Sequence, residues 1–398
     1  MLLRFLSLAA FAALPSFALT IHADTVLDGK GGVLHNVTIK VDGSKIVDVK
    51  TGAAGPADYN LKGLTLMPGW IDTHVHIGWH FNRQDRADMT KEGPQEKALN
   101  AAGNAYVTLM AGFTTVQSLG APDDADLRDA IARGIIPGPR LITSLQPLTE
   151  KSGTPEQIRA LVRERVQQGA DVIKLFATKS VREGGAQTMT DAQIQAACGE
   201  ATALGKRSVV HAHSSGGATA AILAGCTSIE HGSTLDNATL DLLASHGTYF
   251  DPNISTTYNY LEHKKEYLGI GNYNEEGFAY MEKTLPIRVE TLHRALARKI
   301  KIVFGTDAVA GAHGRNAEEF IYRVRDGGQK PMDAIISATS RAAEALRIDK
   351  EVGVIAPGMQ ADFVATNGNP VDEIRAVRSV CFVMKAGKVY RYQPSAAQ

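Results

Sequence analysis

The chain has 398 residues, 44% hydrophobic and 21% charged, with 42 basic side chains balancing 42 acidic ones. That composition belongs to a globular protein, and the length suits one large domain plus a smaller one. A formal net charge of zero and the lack of any Lys/Arg-rich block exclude an electrostatic footprint for nucleic acid or an anionic membrane surface.

In chain order, Arg4, the apolar run 5–14 and the small-x-small pattern Ser16-Phe17-Ala18 read as a secretory signal. The run is too short for a span, which needs about 20 apolar residues. Residues 1–18 are therefore expected to be removed, giving an exported protein, periplasmic or secreted, with no remaining membrane span. The stretch 19–29 alternates apolar and polar side chains as a half-buried strand does. Segments 37–41 and 45–49 repeat the pattern around a hairpin signal at Asp42-Gly43, so 19–66 reads as a small antiparallel β unit.

From residue 67 the rhythm changes to apolar segments alternating with helical patterns, the mark of βα units and a parallel sheet. Strands are expected over 67–76, 112–119, 140–144, 171–176, 208–213, 228–231, 248–253 and 301–306. Helices are expected over 124–133, from Pro155 behind a Thr154 cap to about 168, from a Thr190 cap to about 204, and over 217–224. Eight such strands in one run favour a closed (β/α)8 TIM barrel over an open sheet. After about residue 350 the β pattern returns at 361–365, 377–386 and 387–390. The expected organisation is a barrel over 67–353 and a small β-sandwich built from both chain ends, 19–66 and 354–398. The three cysteines, Cys198, Cys226 and Cys381, are too few for a disulfide framework. At most one bridge can form, and all three read as small buried residues.

In a parallel barrel, polar residues at the strand C-termini face one mouth. The first expected strand ends in His74 and His76, whose i, i+2 spacing puts both rings on one side. The fourth carries Lys174 inside an apolar run. The fifth ends in His211-Ala212-His213, the sixth in Glu230-His231-Gly232 and the eighth in Gly305-Thr306-Asp307. Singly, each has an ordinary explanation: a snorkelling lysine, a hydrogen-bonded core histidine, a capping aspartate. Together at one end of the expected strands, they read as a metal site.

Met67-Pro68-Gly69-Trp70-Ile71-Asp72-Thr73-His74-Val75-His76 and Gly305-Thr306-Asp307-Ala308 resemble the first- and eighth-strand motifs of the amidohydrolase superfamily. Asp171-Val172-Ile173-Lys174, His211-Ala212-His213, Ile229-Glu230-His231-Gly232 and His313-Gly314-Arg315-Asn316-Ala317-Glu318-Glu319 resemble its branch of prolidase-like and carboxypeptidase-like dipeptide hydrolases and ochratoxin amidases. The resemblance covers essentially the whole chain after residue 18. It implies a carboxylated Lys174 bridging two divalent metal ions, zinc being usual. It also implies that His74, His76 and Asp307 hold one metal and His211 and His231 the other. His211 is preferred to His213 by its spacing from His231, which leaves His213 as a substrate contact or a support to the ligands. The implied reaction is hydrolysis of a C–N amide bond by metal-activated water, with Asp307 as general base and then acid. Homo-oligomers are common in that branch.

Substrate contacts are expected in the strand-to-helix loops. His80, with Trp79 and Phe81, follows the first strand; Lys179 and Arg182 follow the fourth; Tyr258 and Tyr260 follow the seventh. Arg182 or Lys179 would pair with a substrate carboxylate, and the aromatics would wall an apolar pocket. Two segments depart from the branch: the loop 145–149 lacks its usual Gly/His-rich segment, and Val116-Gln117-Ser118-Leu119-Gly120 stands where an Arg-Asp pair is usual. The expected substrates are dipeptides or N-acyl amino acids, ochratoxin-like amides included. The competing readings are the same scaffold cleaving a lactone or phosphoester or deaminating a ring, and a non-catalytic barrel. A mononuclear deaminase has no use for Lys174, and a binding module has no use for a full ligand set.

Overall fold

The computed structural model describes residues 19–52 and 55–393. The expected signal segment, 1–18, lies outside the described residues. The first four strands are β1 (Leu19–Leu27), β2 (Val33–Asp42), β3 (Lys45–Thr51) and β4 (Tyr59–Pro68). Their alternation works as the sequence suggests, with Ile21 and Ala23 of β1 and Val37, Ile39 and Val41 of β2 all buried on one face. The unit is not purely antiparallel, however. β1 pairs antiparallel with β2 but parallel with β4, in the register Ile21↔Tyr59 and Thr25↔Thr65.

β4 runs straight into β5 (Trp70–Val75) through Gly69. A Cβ at Gly69 would sit 2.2 Å from the Thr114 side chain, so only glycine lets the two strands join this closely. The strands that follow are β6 (Phe113–Ser118), β7 (Arg140–Thr143), β8 (Val172–Phe176), β9 (Arg207–Ser214), β10 (Ser228–Thr234) and β11 (Tyr249–Asp251). They form two parallel sheets, ordered β5-β6-β7 and β8-β9-β10-β11. Five residues beyond β7, Leu148 pairs parallel with β8, donating to Lys174 O at 2.8 Å and accepting from Phe176 N at 2.9 Å. On the far side Phe250 pairs parallel with Ile302, and Val75 with Ala308.

The strand expected over 301–306 is thus reduced to isolated bridges. Its end cannot continue a ladder, because Asp307 is left-handed at φ 54° and Gly305 packs so tightly that a Cβ would lie 1.8 Å from Asp251 Oδ2. Helices Pro155–Gln167 and Asp191–Ala203 start as expected, each with a capping box, Thr154 with Gln157 and Thr190 with Gln193. Two long helices, Pro94–Met110 and Glu275–Ala297, stand where the sequence reading placed no element.

β12 (Phe363–Asn367), β13 (Val380–Lys385) and β14 (Lys388–Tyr392) complete the strands. The expected strand at 377–386 starts later, because Glu373 caps a short 3-10 turn, Ile374–Arg378, ahead of it. Both chain ends share a single seven-stranded sheet, ordered β14-β13-β12-β4-β1-β2-β3, in which β12 lies antiparallel to β4. The edge strand β3 also meets the segment before β12, with Ile46 N donating to Met359 O at 2.9 Å. Side chains from both ends therefore share one core, including Ile39, Leu61, Phe363 and Phe382.

Cys198 and Cys226 form a disulfide, which corrects their reading as merely small buried residues; Cys381 is free and half-buried. The pair ties helix Asp191–Ala203 to the approach to β10. Among the described residues no helix is long and apolar enough to cross a membrane.

Candidate metal centre

β5 carries His74 and delivers His76 just past its end, and the bridge from Val75 to Ala308 brings Asp307 alongside both. His76 Nε2 lies 3.0 Å from Asp307 Oδ1 and His74 Nε2 lies 3.4 Å from it. These three residues have ligand atoms close enough to hold one cation. β9 and β10 supply a second group, His211, His213 and His231. The His231 ring centre stands 4.5 Å from that of His211, 4.7 Å from that of His213 and 5.3 Å from that of His74. Lys174, on β8, is 1% exposed, and its Nζ stands 5.4 Å from the centre of the Phe176 ring. Every residue expected to bind metal is thus brought to one place, and His213 stands as close as His211.

Burial pushes the His74 imidazole well below its usual range, and Lys174 adds to the effect. The same two causes bring His211 down to about 3, while burial with His211 beside them lowers His213 and His231. Neutral rings keep a lone pair free for a cation. Burial also lowers the Lys174 ammonium, against the pull of Glu230 and Asp307. For Asp307 burial works upward, but His74, His76 and Lys174 outweigh it and hold the carboxylate ionised, well below the usual range.

The residues fit bound metal. Lys174 Nζ, His74 Nε2 and His231 Nδ1 are buried without a hydrogen-bond partner among the described residues. A bound cation would give these ring nitrogens a partner, as buried polar groups ordinarily have.

Behind these groups lies a support that the sequence reading did not assign. Glu230 Oε2 lies 2.8 Å from His74 Nδ1, which turns Nε2 toward Asp307, and Ser228 Oγ donates to Glu230 Oε1 at 2.7 Å. Burial pushes Glu230 up to about 7, against Lys174. Asp72 accepts from the backbone amides of His74 and Thr306, from Thr306 Oγ1 and from Asn316 Nδ2, at 2.7–3.1 Å. Asp251 accepts from Thr73 Oγ1, Gly305 N and Arg323 Nη2, each at 2.9 Å. Asp72 stands inside the quoted first-strand motif and Glu230 beside His231, so their positions were visible even though their roles were not.

A cavity of about 160 Å³ opens over His74, His76, His211, His231 and Asp307. Of the expected substrate contacts, His213, Arg182 and Tyr260 line it, together with Trp79. His80 does not: its Nε2 is engaged by Glu92 at 2.7 Å and its Nδ1 by Gly78 O at 2.9 Å. Tyr258 does not either, because it stacks on Tyr322 at 3.9 Å and donates to Asp326 at 2.9 Å. Phe81 packs against His263 and Tyr267, and Lys179 contributes its carbonyl, 3.4 Å from His211 Nε2. The walls also contain Tyr273, Met281 and Arg288, which lie in or just before the long helix absent from the sequence reading.

The chain belongs to the amidohydrolase family, whose model matches residues 65–390. Within that superfamily its likeness is to ochratoxinase and prolidases. Ochratoxinase of Aspergillus niger is 25% identical, over 93% of this chain and 86% of that protein. A crystal structure of a Xaa-Pro dipeptidase with bound methionine in the active site is 33% identical, with a TM-score of 0.86 over 94% of this chain and all of that one. A prolidase complexed with N-methylphosphonate-L-proline is 26% identical, with a TM-score of 0.84 over the same shares.

Proposed function

We propose that the protein is a metal-dependent hydrolase of C–N amide bonds in dipeptides or N-acyl amino acids, ochratoxin-like amides included. The observation that carries this reading is the convergence of two histidine-rich groups on a buried, partnerless Lys174 beside an open cavity. Prolidase and ochratoxinase relatives support the bond type. His74, His76 and Asp307 would hold one divalent ion and His211 and His231 the other, with zinc the expected metal. Lys174, as a carbamate formed with carbon dioxide, would serve both. When bound, the ions supply Lewis acidity toward a carbonyl oxygen and make water acidic enough to react near neutral pH.

The chain's own groups do the rest. Asp307 accepts a proton from the attacking water as its oxygen bonds to the amide carbon. It returns that proton to nitrogen as the C–N bond breaks, releasing a carboxylic acid and an amine. Arg182 is fixed by Nε donating to Asn272 Oδ1 at 2.8 Å and by stacking 3.8 Å over the Tyr273 ring. Its Nη groups are left to meet a substrate carboxylate. Trp79, Phe176, Val181 and Val309 exclude water around the apolar part.

In such an enzyme β5–β11 and the bridges at Ile302 and Ala308 would close one (β/α)8 barrel over 67–353, with 19–66 and 354–398 as a β-sandwich. The protein would also be exported, which the disulfide supports, since such bonds persist in oxidising compartments. The exported form should then begin near Leu19; an intact Met1 by mass spectrometry would contradict that part. Function is tested by assaying the metal-loaded enzyme against a panel of dipeptides and N-acyl amino acids. Release of the free amino acid, blocked by chelators, is expected. A fully loaded enzyme inert on the whole panel would overturn the reading.

A further inference from the structure

We propose that Arg288 is a positioning residue: through Asn253 it fixes where the His231 imidazole stands, an inference that rests on the metal reading above. Arg288 comes from helix Glu275–Ala297 and is 3% exposed. Its Nη2 donates to Pro252 O at 2.8 Å and Asn253 O at 2.7 Å, and its Nη1 donates to Thr257 Oγ1. All three acceptors are neutral, and among the described residues the guanidinium has no ion pair with a carboxylate. Burying a cation without a counter-ion is costly, and an apolar side chain would fill the same place at lower cost. The return for that cost lies in what the guanidinium holds.

Its two Nη2 bonds grip consecutive carbonyls, those of Pro252 and Asn253, where the chain leaves β11 and turns into helix Ile254–Glu262. Asn253 is fully buried and left-handed, at φ 45° and ψ 51°. That conformation is disfavoured for side chains other than glycine, and asparagine tolerates it best. In it, Asn253 Oδ1 accepts from His231 N at 3.1 Å. The bond matters because the β10–β11 ladder ends at Glu230↔Asp251, so His231 N has no strand partner on that side. His231 and Gly232 are themselves left-handed, at φ 71° and 50°, and the β9–β10 register shifts just beyond them. The backbone that aims His231 is thus irregular on both sides. Its anchor is the side chain of an asparagine whose backbone carbonyl Arg288 holds.

The test compares the full-length protein with Arg288→Met, Arg288→Lys and Asn253→Gly, each loaded with Co²⁺, whose visible spectrum reports ligand geometry. Asn253→Gly keeps the left-handed turn and deletes only the acceptor for His231 N, so it isolates the proposed link. Expected are a changed Co²⁺ spectrum, metal affinity lower by about 10–100-fold as for lost support of a ligand and, for Asn253→Gly, whose site does not line the cavity as Arg288 does, a similar fall in kcat with KM nearly constant. Arg288→Lys, which keeps the charge but cannot span three acceptors, should recover only part. A folded Arg288→Met or Asn253→Gly protein with the parent spectrum and affinity would overturn the inference. If Arg288→Met does not fold, Asn253→Gly decides alone. A parent protein that binds no Co²⁺ would overturn the metal reading itself, and this inference with it.

Discussion

Replacing Arg323 with methionine should cost the protein a large part of its stability. The side chain is wholly buried, with Nη2 donating to Asp251 Oδ1 at 2.9 Å, Nε to Glu319 Oε1 at 2.6 Å and Nη1 to Val303 O at 2.6 Å. Methionine fills most of the space but leaves two buried carboxylates without their cation. Removing one partner of a buried pair costs about 3–5 kcal/mol, against a total stability of about 5–15 kcal/mol. Damage should reach the site as well. Asp251 holds Thr73 and Gly305, which flank His74 and Asp307, while Glu319 accepts the amides of Ile254 and Ser255. Urea titration followed by tryptophan fluorescence measures the loss, and Arg323→Met combined with Asp251→Asn should regain part of it by removing the excess charge. A loss below about 1 kcal/mol, the range of exposed pairs, would refute the reasoning.

Three further outcomes are expected. Asp307→Asn should lower turnover at least about 10²–10⁴-fold while the circular dichroism spectrum stays that of the parent; near-normal turnover would remove Asp307 from the chemistry. Glu230→Gln, which loosens the hold on His74 Nδ1, should weaken metal retention about 10–100-fold, measured by competition with a chelator. The third concerns Lys385, which burial, helped by Arg140, brings down to about 8 from 10.5. Below pH 8 the folded protein carries the full cost of its charge. Between about 8 and 10.5 the unfolded chain binds the extra proton, so stability should rise with pH there, by at most about 3 kcal/mol. Lys385→Met should flatten that rise in melting temperature.

Which parts of the molecule were legible in the sequence follows from how local each signal is. His74 and His76 were readable because the i, i+2 spacing of one strand fixes their common side. Lys174, His211, His231 and Asp307 were readable because they end or interrupt short apolar runs. Capping at Thr154 and Thr190 is likewise local, and those helices begin where expected. What escaped depends on contacts made across the fold. Glu230 meets His74 across 156 positions, and Asp251 meets Arg323 across 72. His80 is turned away by Glu92, twelve positions on, and Tyr258, which lies in helix Ile254–Glu262 rather than on a loop, by Asp326 and Tyr322, which no short window contains. The strand at 301–306 dissolved into bridges because Gly305 packs tightly on Asp251 and Asp307 turns left-handed beside His74 and His76 rather than continuing a ladder. The same compromise between regular structure and site geometry recurs at His231 and Asn253, both left-handed.

Metal content and amide turnover, followed on one preparation through stepwise chelation and re-addition, test the central claim most directly. Turnover should vanish as the ions leave and return as they are restored, reaching its full value at about two per chain, as expected of a two-metal site. Undiminished turnover by metal-free protein would contradict it.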